Sequence, residues 1–155
     1  MSNVNAGADG SGPAMGTLTV LVGLCGSGKS ELINKMILEK ECIYDGGFLE
    51  CAPKHQEVIC YLRNGKDCVI SEAGFCEKSK REVIVRKVLE ALPQAHIFFV
   101  CFENDLEQAN INCASEKRID RAPQQHIEMN NYLSPIYKRD GYPENRIILK
   151  VYRPC

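Results

Sequence analysis

The sequence predicts an α/β fold in which a parallel sheet of five strands is covered by helices on both faces. Two observations lead to this prediction. Short apolar runs of strand length alternate with longer segments whose apolar residues recur at helical spacing. A glycine-rich loop stands between the first of these strands and the first helix. In such folds, ligands bind at the carboxyl ends of the strands.

The length and composition are those of one globular domain. The 155 residues are 45% hydrophobic and carry a formal net charge of -1. Residues 1–16 are rich in glycine and small polar residues, so we expect a flexible segment there and one domain over residues 17–155. No apolar run is long enough to cross a membrane, and the near-neutral charge gives no broad basic field. We therefore expect a soluble cytoplasmic protein with no membrane partner.

The cysteines are numerous but are not spaced as metal ligands. The nine cysteines are scattered, none forms C-x-x-C, and their number is odd. This pattern argues against a disulfide framework or a zinc site and favours small buried side chains in a reducing compartment. Cys25 differs because it lies inside the glycine-rich loop, where a thiolate would be stabilised. Its two alternatives are a steric role, which we favour, and a redox switch.

The strands are marked by short apolar or β-branched runs. The run Thr17–Val22 precedes the glycine-rich loop, as expected for a buried parallel strand. His96–Phe102 is the most apolar run and is predicted to be a central strand. Further strands are predicted over residues 41–44, 67–71 and 146–151.

The helices are predicted from apolar spacing and from proline and glycine. The second ends at Asn64-Gly65, the third stops before Pro93, and the fifth begins at Pro123 and is broken by Pro135. The five predicted helices cover residues 31–40, 52–63, 77–92, 105–112 and 123–133.

The glycine-rich loop has the pattern G-x-x-x-x-G-K-S, which binds nucleotide phosphates. Its glycines allow positive φ angles and a close approach of the backbone to phosphate oxygens. Lys29 is expected to contact the β- and γ-phosphates, and the Ser30 hydroxyl is expected to bind Mg²⁺. With a strand before the loop and a helix after it, the pattern predicts a three-layer P-loop NTPase fold that binds ATP. The expected nucleotide-binding residues are Gly23, Cys25, Gly26, Ser27, Gly28, Lys29 and Ser30.

Acidic residues follow two other predicted strands. Asp45 follows the second strand and is a candidate general base for an attacking hydroxyl, or else a cap of the Gly46-Gly47 turn. Glu72 follows the third strand and is a candidate Mg²⁺ ligand, or else a helix-capping acid.

A basic segment follows the fourth strand and its helix. It contains Lys117, Arg118 and Arg121, which are able to close over ATP and stabilise the transferred phosphoryl group, or else form a solvated face.

The phosphate loop, Tyr44-Asp45, Val69–Phe75 and Asp105–Arg121 together resemble the small P-loop kinases of the polynucleotide-kinase-like group. The resemblance implies a kinase that uses ATP and Mg²⁺. It implies Asp45 as the general base, Glu72 near the metal, and Arg118 or Arg121 as lid arginines.

One position in the sequence limits the class of molecule that is expected to accept the phosphoryl group. Members of the group that act on nucleic-acid 5′ ends commonly carry an arginine three residues after the base, where this chain has Phe48. A nucleic acid is therefore allowed but not favoured, and a small metabolite, nucleoside or nucleotide is expected to be phosphorylated on a hydroxyl or phosphate.

Two other functions use the same loop. A regulatory GTPase needs N-K-x-D, and it needs D-x-x-G after the third strand; N-K-x-D is absent, and no D-x-x-G follows the third predicted strand. A nucleotide-binding module without kinase activity stays open as the alternative. The oligomeric state is left open by the sequence.

Overall fold

The computed structural model describes residues 14–115 and 123–153. The strands of this part are β1 (Thr17–Val22), β2 (Ile43–Asp45), β3 (Cys68–Ser71), β4 (His96–Phe102) and β5 (Arg146–Leu149). The helices are α1 (Lys29–Ile33), α2 (Ala52–Arg63), α3 (Lys78–Ala91), α4 (Leu106–Ser115) and α5 (Pro123–Asp140). Short 3₁₀ turns cover Lys40–Cys42 and Ala73–Cys76.

The five strands form one parallel sheet in the order β2-β3-β1-β4-β5. The register pairs Leu18 of β1 with Cys68 of β3 and with Ile97 of β4. Because all strands run the same way, their carboxyl ends meet at one edge of the sheet. The predicted α/β class, a three-layer P-loop fold with five parallel strands, is confirmed.

The two faces of the sheet bury separate apolar clusters. On one face Leu18, Val20 and Val22 of β1 join buried residues of α2, α3 and α5, among them Val58, Ile84 and Leu133. On the other face Leu21, Val69 and Val100 pack against Ile33 of α1. The alternating residues of β1 thus point to opposite layers, which fixes the register of the strand.

The first helix is shorter than the sequence predicts. We expected a helix over residues 31–40, but α1 ends at Ile33. The amides of Lys35 and Met36 donate to the carbonyls of Leu32 and Ile33, three residues earlier. This hydrogen-bond spacing is that of a 3₁₀ turn, so the α-helix ends here. This turn brings Met36 and Leu38 against the second apolar cluster, while Ile37 is fully exposed.

The last helix is longer than predicted. We expected Pro135 to break it, but α5 continues to Asp140 with the proline inside. The flanking residues are anchored, because Leu133 and Tyr137 are both buried and the Tyr137 hydroxyl donates to the Phe102 carbonyl. Tertiary contacts here outweigh the local cost of proline.

Other boundaries differ by a few residues. The second strand lies at Ile43–Asp45 and follows a 3₁₀ turn, instead of covering residues 41–44. The fourth helix continues past its predicted end at residue 112, so that Cys113 belongs to α4 and is buried.

The predicted flexible segment over residues 1–16 lies outside the described residues as far as residue 13. Its last residue, Gly16, donates its amide to the Leu62 carbonyl at 2.9 Å. Within residues 14–115 and 123–153, no helix combines the length and the apolar character that a membrane span requires.

Candidate active site

The loop between β1 and α1 has the shape that its glycines were predicted to allow, with one exception. Gly26 and Gly28 have φ angles of 82° and 115°, in the left-handed region. Gly23 does not use this freedom, since its φ lies outside that region. Close packing favours glycine at position 23, because a Cβ there would lie 2.6 Å from Ser27 Oγ. Gly26 is confined as well, since a Cβ would lie 2.5 Å from the Ala109 carbonyl oxygen.

Two asparagines of the hairpin formed by α4 and α5 hold this loop. The fully buried Asn130 accepts a hydrogen bond from Cys25 N at 2.7 Å and donates to Cys25 O at 2.9 Å. Asn112 donates to Gly26 O at 2.8 Å and to Tyr152 O at 2.6 Å. The Tyr152 amide in turn donates to Ser27 O at 2.9 Å. Side chains and backbone from three distant segments therefore fix the loop.

Lys29 and Ser30 begin α1 and carry the polar groups of the loop. Lys29 Nζ donates to the carbonyl oxygens of Gly23 at 2.6 Å and of Leu24 at 2.8 Å. Burial of the ammonium lowers the pKa of Lys29, and the nearby Asp45 carboxylate acts in the opposite direction. Ser30 Oγ donates to Asp45 Oδ2 at 3.1 Å. The residue at the end of β2 thus reaches the first turn of α1.

Glu72 contacts the loop that follows β2. Its Oε1 accepts hydrogen bonds from the amides of Phe48 at 2.7 Å and Leu49 at 3.0 Å. Although Glu72 stands directly before the 3₁₀ turn Ala73–Cys76, its side chain makes no capping hydrogen bond there. The carboxylate therefore links the carboxyl end of β3 to the loop that carries Asp45.

The buried His55 contacts the loop that follows β2. His55 Nε2 lies 2.8 Å from Phe48 O, and Lys87 Nζ lies 3.1 Å from His55 Nδ1. Because an ammonium only donates, Nδ1 of His55 accepts from Lys87, and the Nε2–H group of His55 therefore donates a hydrogen bond to the Phe48 carbonyl. Burial lowers the pKa of His55, and Lys87 lowers it further. The buried Phe48 ring packs on Tyr44 and His55.

The loop and the strand ends enclose a cavity of about 380 Å³. Its lining includes most of the residues predicted for nucleotide, metal and proton chemistry, whereas Gly23 and Ser27 lie behind it. The lining residues are Cys25, Gly26, Gly28, Lys29, Ser30, Glu31, Asp45, Gly46, Ser71, Glu72, Ala73, Asn112, Ser115, His126 and Tyr152.

Two buried hydroxyls at this site have no hydrogen-bond partner among the residues that the structure describes. They are Ser27 Oγ in the phosphate loop and Ser71 Oγ at the end of β3, and both residues are fully buried. A buried hydroxyl without a partner is costly, so such groups indicate a binding site.

Among the site residues that were not predicted, three hold the glycine-rich loop. Asn112, Asn130 and Tyr152 lie far along the chain from the loop that they contact. The one sequence signal was the presence of asparagines within helical segments, for which this residue has a low propensity.

The predicted lid residues Lys117, Arg118 and Arg121 lie outside the described residues, so their roles stay predictions. On either side of that gap, Ser115 and His126 line the cavity.

Comparisons with known proteins give no family for the chain. No family model matches it, and no curated protein matches it. Among solved structures, it is similar to the crystal structure of APE1195, with 18% sequence identity over 81% of this chain and 96% of that chain and a TM-score of 0.43. A likeness at this level bears on neither the fold nor the function of this chain.

We predict that Asn130→Asp destabilises the protein by about 1–3 kcal/mol, because the substitution removes the donor to Cys25 O and places a carboxylate beside that oxygen. Urea unfolding measures the change. Asn131→Asp is the matched control, since the exposed Asn131 only accepts a bond from Asn110 and an aspartate keeps that acceptor. Equal stabilities of the two variants would contradict the role of Asn130.

We also predict that acid destabilises the fold through His55. Its pKa lies below the ordinary value of 6.5, so its contribution is fully present above that pH and is lost as the pH falls through the folded-state pKa. His55→Gln keeps a donor for Phe48 O but does not titrate. As the pH is lowered from about 8 to about 5, the free energy of unfolding should fall more steeply for the unmodified protein than for His55→Gln. Parallel profiles would show that His55 does not titrate in this way.

Proposed function

We propose that this protein binds ATP with Mg²⁺ at residues 23–30 and transfers the γ-phosphoryl group to a hydroxyl of a small acceptor. The observation that carries the proposal is the contact between Ser30 Oγ and Asp45 Oδ2 beside Lys29. It joins a phosphate loop to a carboxylate from the neighbouring strand end, within a cavity of the size that small ligands occupy.

The residues present fit ATP and Mg²⁺. Mg²⁺ prefers oxygen ligands and is usually bound by one or two side chains together with phosphate oxygens and water. Ser30 supplies such an oxygen and Glu72 adds a carboxylate to the lining of the same cavity, while Asp45 is left for proton transfer. No group of three or more His, Cys, Asp or Glu side chains comes together within the described ranges. A Mg²⁺ ion held jointly with ATP does not require such a group.

A buried hydroxyl and the glycines of the loop also support the proposal that ATP and Mg²⁺ bind here. Ser71 lines the cavity, and its Oγ is a polar group that a metal-bound water or a ligand would satisfy. The loop is closely packed at Gly26 and Gly28, where a Cβ would lie 2.5 Å from the Ala109 carbonyl oxygen and 3.1 Å from Tyr152 Cβ respectively. When bound, Mg²⁺ neutralises charge on the transferred phosphoryl group.

The nucleobase is expected on the side of Tyr152. Its backbone is fixed to Ser27 and Asn112, while its side chain is 48% exposed and lines the cavity. An exposed aromatic ring on a fixed backbone is a platform on which a base stacks.

Phosphoryl transfer assigns one role to each group. The acceptor oxygen bonds to the γ-phosphorus, the bond from that phosphorus to the β,γ-bridging oxygen breaks, and ADP leaves. Asp45 takes the proton of the acceptor hydroxyl, and Lys29 holds the phosphates. Glu72 holds the loop after Asp45 through the amides of Phe48 and Leu49. The resemblance to polynucleotide-kinase-like P-loop kinases adds Arg118 or Arg121 as a cation on ATP.

We predict that Lys29→Ala weakens Mg·ATP binding by about tenfold or more, roughly 1.4 kcal/mol, since a cation that contacts the phosphates is lost. Isothermal titration calorimetry measures the affinity. Lys35→Ala is the control, because Lys35 is an exposed lysine beyond α1 that does not line the cavity. Equal affinities of the unmodified protein and Lys29→Ala would refute nucleotide binding at this loop.

Asp45→Asn should lower the rate of transfer from radiolabelled ATP by about 10²- to 10⁴-fold with little change in ATP affinity, because an amide cannot take the proton. Glu50→Gln removes an exposed carboxylate outside the cavity lining and should leave the rate unchanged. Retained turnover in Asp45→Asn would exclude Asp45 as the base. ATP binding without transfer in the unmodified protein would instead favour a nucleotide-binding module without kinase activity.

A further inference from the structure

The order of the strands divides the cavity into two sides. β3 and β2 lie on one side of β1, and β4 and β5 lie on the other. The lining residues at the ends of β2 and β3 form one side, which we call the β2–β3 side: Asp45, Gly46, Ser71, Glu72 and Ala73. Tyr152 and the residues of α4 lie on the other side. With the nucleobase next to Tyr152, the acceptor enters from the β2–β3 side.

The β2–β3 side is acidic. It contributes the carboxylates of Asp45 and Glu72, and the exposed Glu31 also lines the cavity. Among the described lining residues, the one lysine or arginine is Lys29, whose ammonium bonds to the loop carbonyls. Apart from the Mg²⁺ that it would share with ATP, a phosphate or carboxylate group on the acceptor would find no cation among the described lining residues of that side, and it would lie near the Asp45 carboxylate.

A buried hydroxyl on the same side points to a polar neutral ligand. Ser71 is fully buried and lines the cavity, and within the described part of the chain its Oγ has no hydrogen-bond partner. A serine hydroxyl both donates and accepts, so it matches a hydroxyl or amino group of a ligand. Its backbone is fixed, because Ser71 O accepts the Gly46 amide at 2.7 Å.

The cations outside the lining do not change this balance. Lys80 Nζ pairs with Glu77 at 3.4 Å, and Lys54 approaches the loop at Gly47 without lining the cavity. At the third position after Asp45, the ring of Phe48 is buried in the core and is not available to an acceptor.

We propose that the phosphorylated hydroxyl belongs to an uncharged or amino-bearing polyol, such as a sugar, an amino sugar or a nucleoside, and not to a phosphate-bearing molecule. This proposal rests on the proposed function. The carboxylates of Asp45 and Glu72 attract amino groups and repel phosphates, and Ser71 Oγ bonds to a second polar group of the acceptor.

The test is phosphoryl transfer from radiolabelled Mg·ATP to matched acceptor pairs: sugars with sugar phosphates, amino sugars with amino sugar phosphates, and nucleosides with nucleoside monophosphates. We expect kcat/KM to be about tenfold or more higher for the unphosphorylated member, with a smaller difference in about 0.5 M KCl. An equal or faster reaction of the phosphorylated members would overturn the proposal. Loss of Mg·ATP binding, or Mg·ATP binding without transfer to any acceptor of the panel, would instead refute the proposed function itself.

Two variants test whether the preference is electrostatic. Ala73→Lys adds a cation to the β2–β3 side and should narrow the difference within each pair severalfold. Ser115→Lys adds the same charge to the lining of the same cavity from the end of α4, and should leave the ratio unchanged. An unchanged ratio in Ala73→Lys, with both variants folded by unfolding measurements, would contradict the proposed origin of the preference.

Discussion

The shape of the phosphate loop depends on the double hydrogen bond between the Asn130 amide and the peptide groups of Cys25. Cys25 lies 105 residues before Asn130, so the loop takes its form only when α5 is packed in place. Asn112 extends this contact to Gly26 and Tyr152 from the neighbouring helix. The candidate nucleotide site is consequently a product of the whole fold, although its sequence motif is short.

The sequence predicts the fold well where local pattern and tertiary packing agree. The five parallel strands and α2 lie close to their predicted bounds, because apolar runs and helical spacing record burial directly. The failures are at the ends of α1 and α5. Met36 and Leu38 leave the helical path to reach the sheet, and the anchored Tyr137 carries α5 through Pro135. Both outcomes are decided by contacts that no local window contains.

The candidate site was likewise predictable only where its residues form a local sequence motif. Gly26, Gly28, Lys29 and Ser30 form a contiguous motif, so their placement follows from the sequence. The support for Asp45 does not, because Glu72 binds backbone amides of a loop that precedes it by more than 20 residues. Backbone groups carry no residue-specific signal, so such a contact is visible only in three dimensions. The Ser30–Asp45 contact shows how packing brings an acid named on sequence grounds to the loop.

The most direct test of the central claim is a crystal structure with Mg²⁺ and a non-hydrolysable ATP analogue. We expect the triphosphate to bind within residues 23–30, with Lys29 Nζ moved from the carbonyls of Gly23 and Leu24 onto phosphate oxygens. The Asp45 carboxylate should face the γ-phosphate. An analogue bound elsewhere, or bound at the loop with Lys29 still on those carbonyls, would contradict the account.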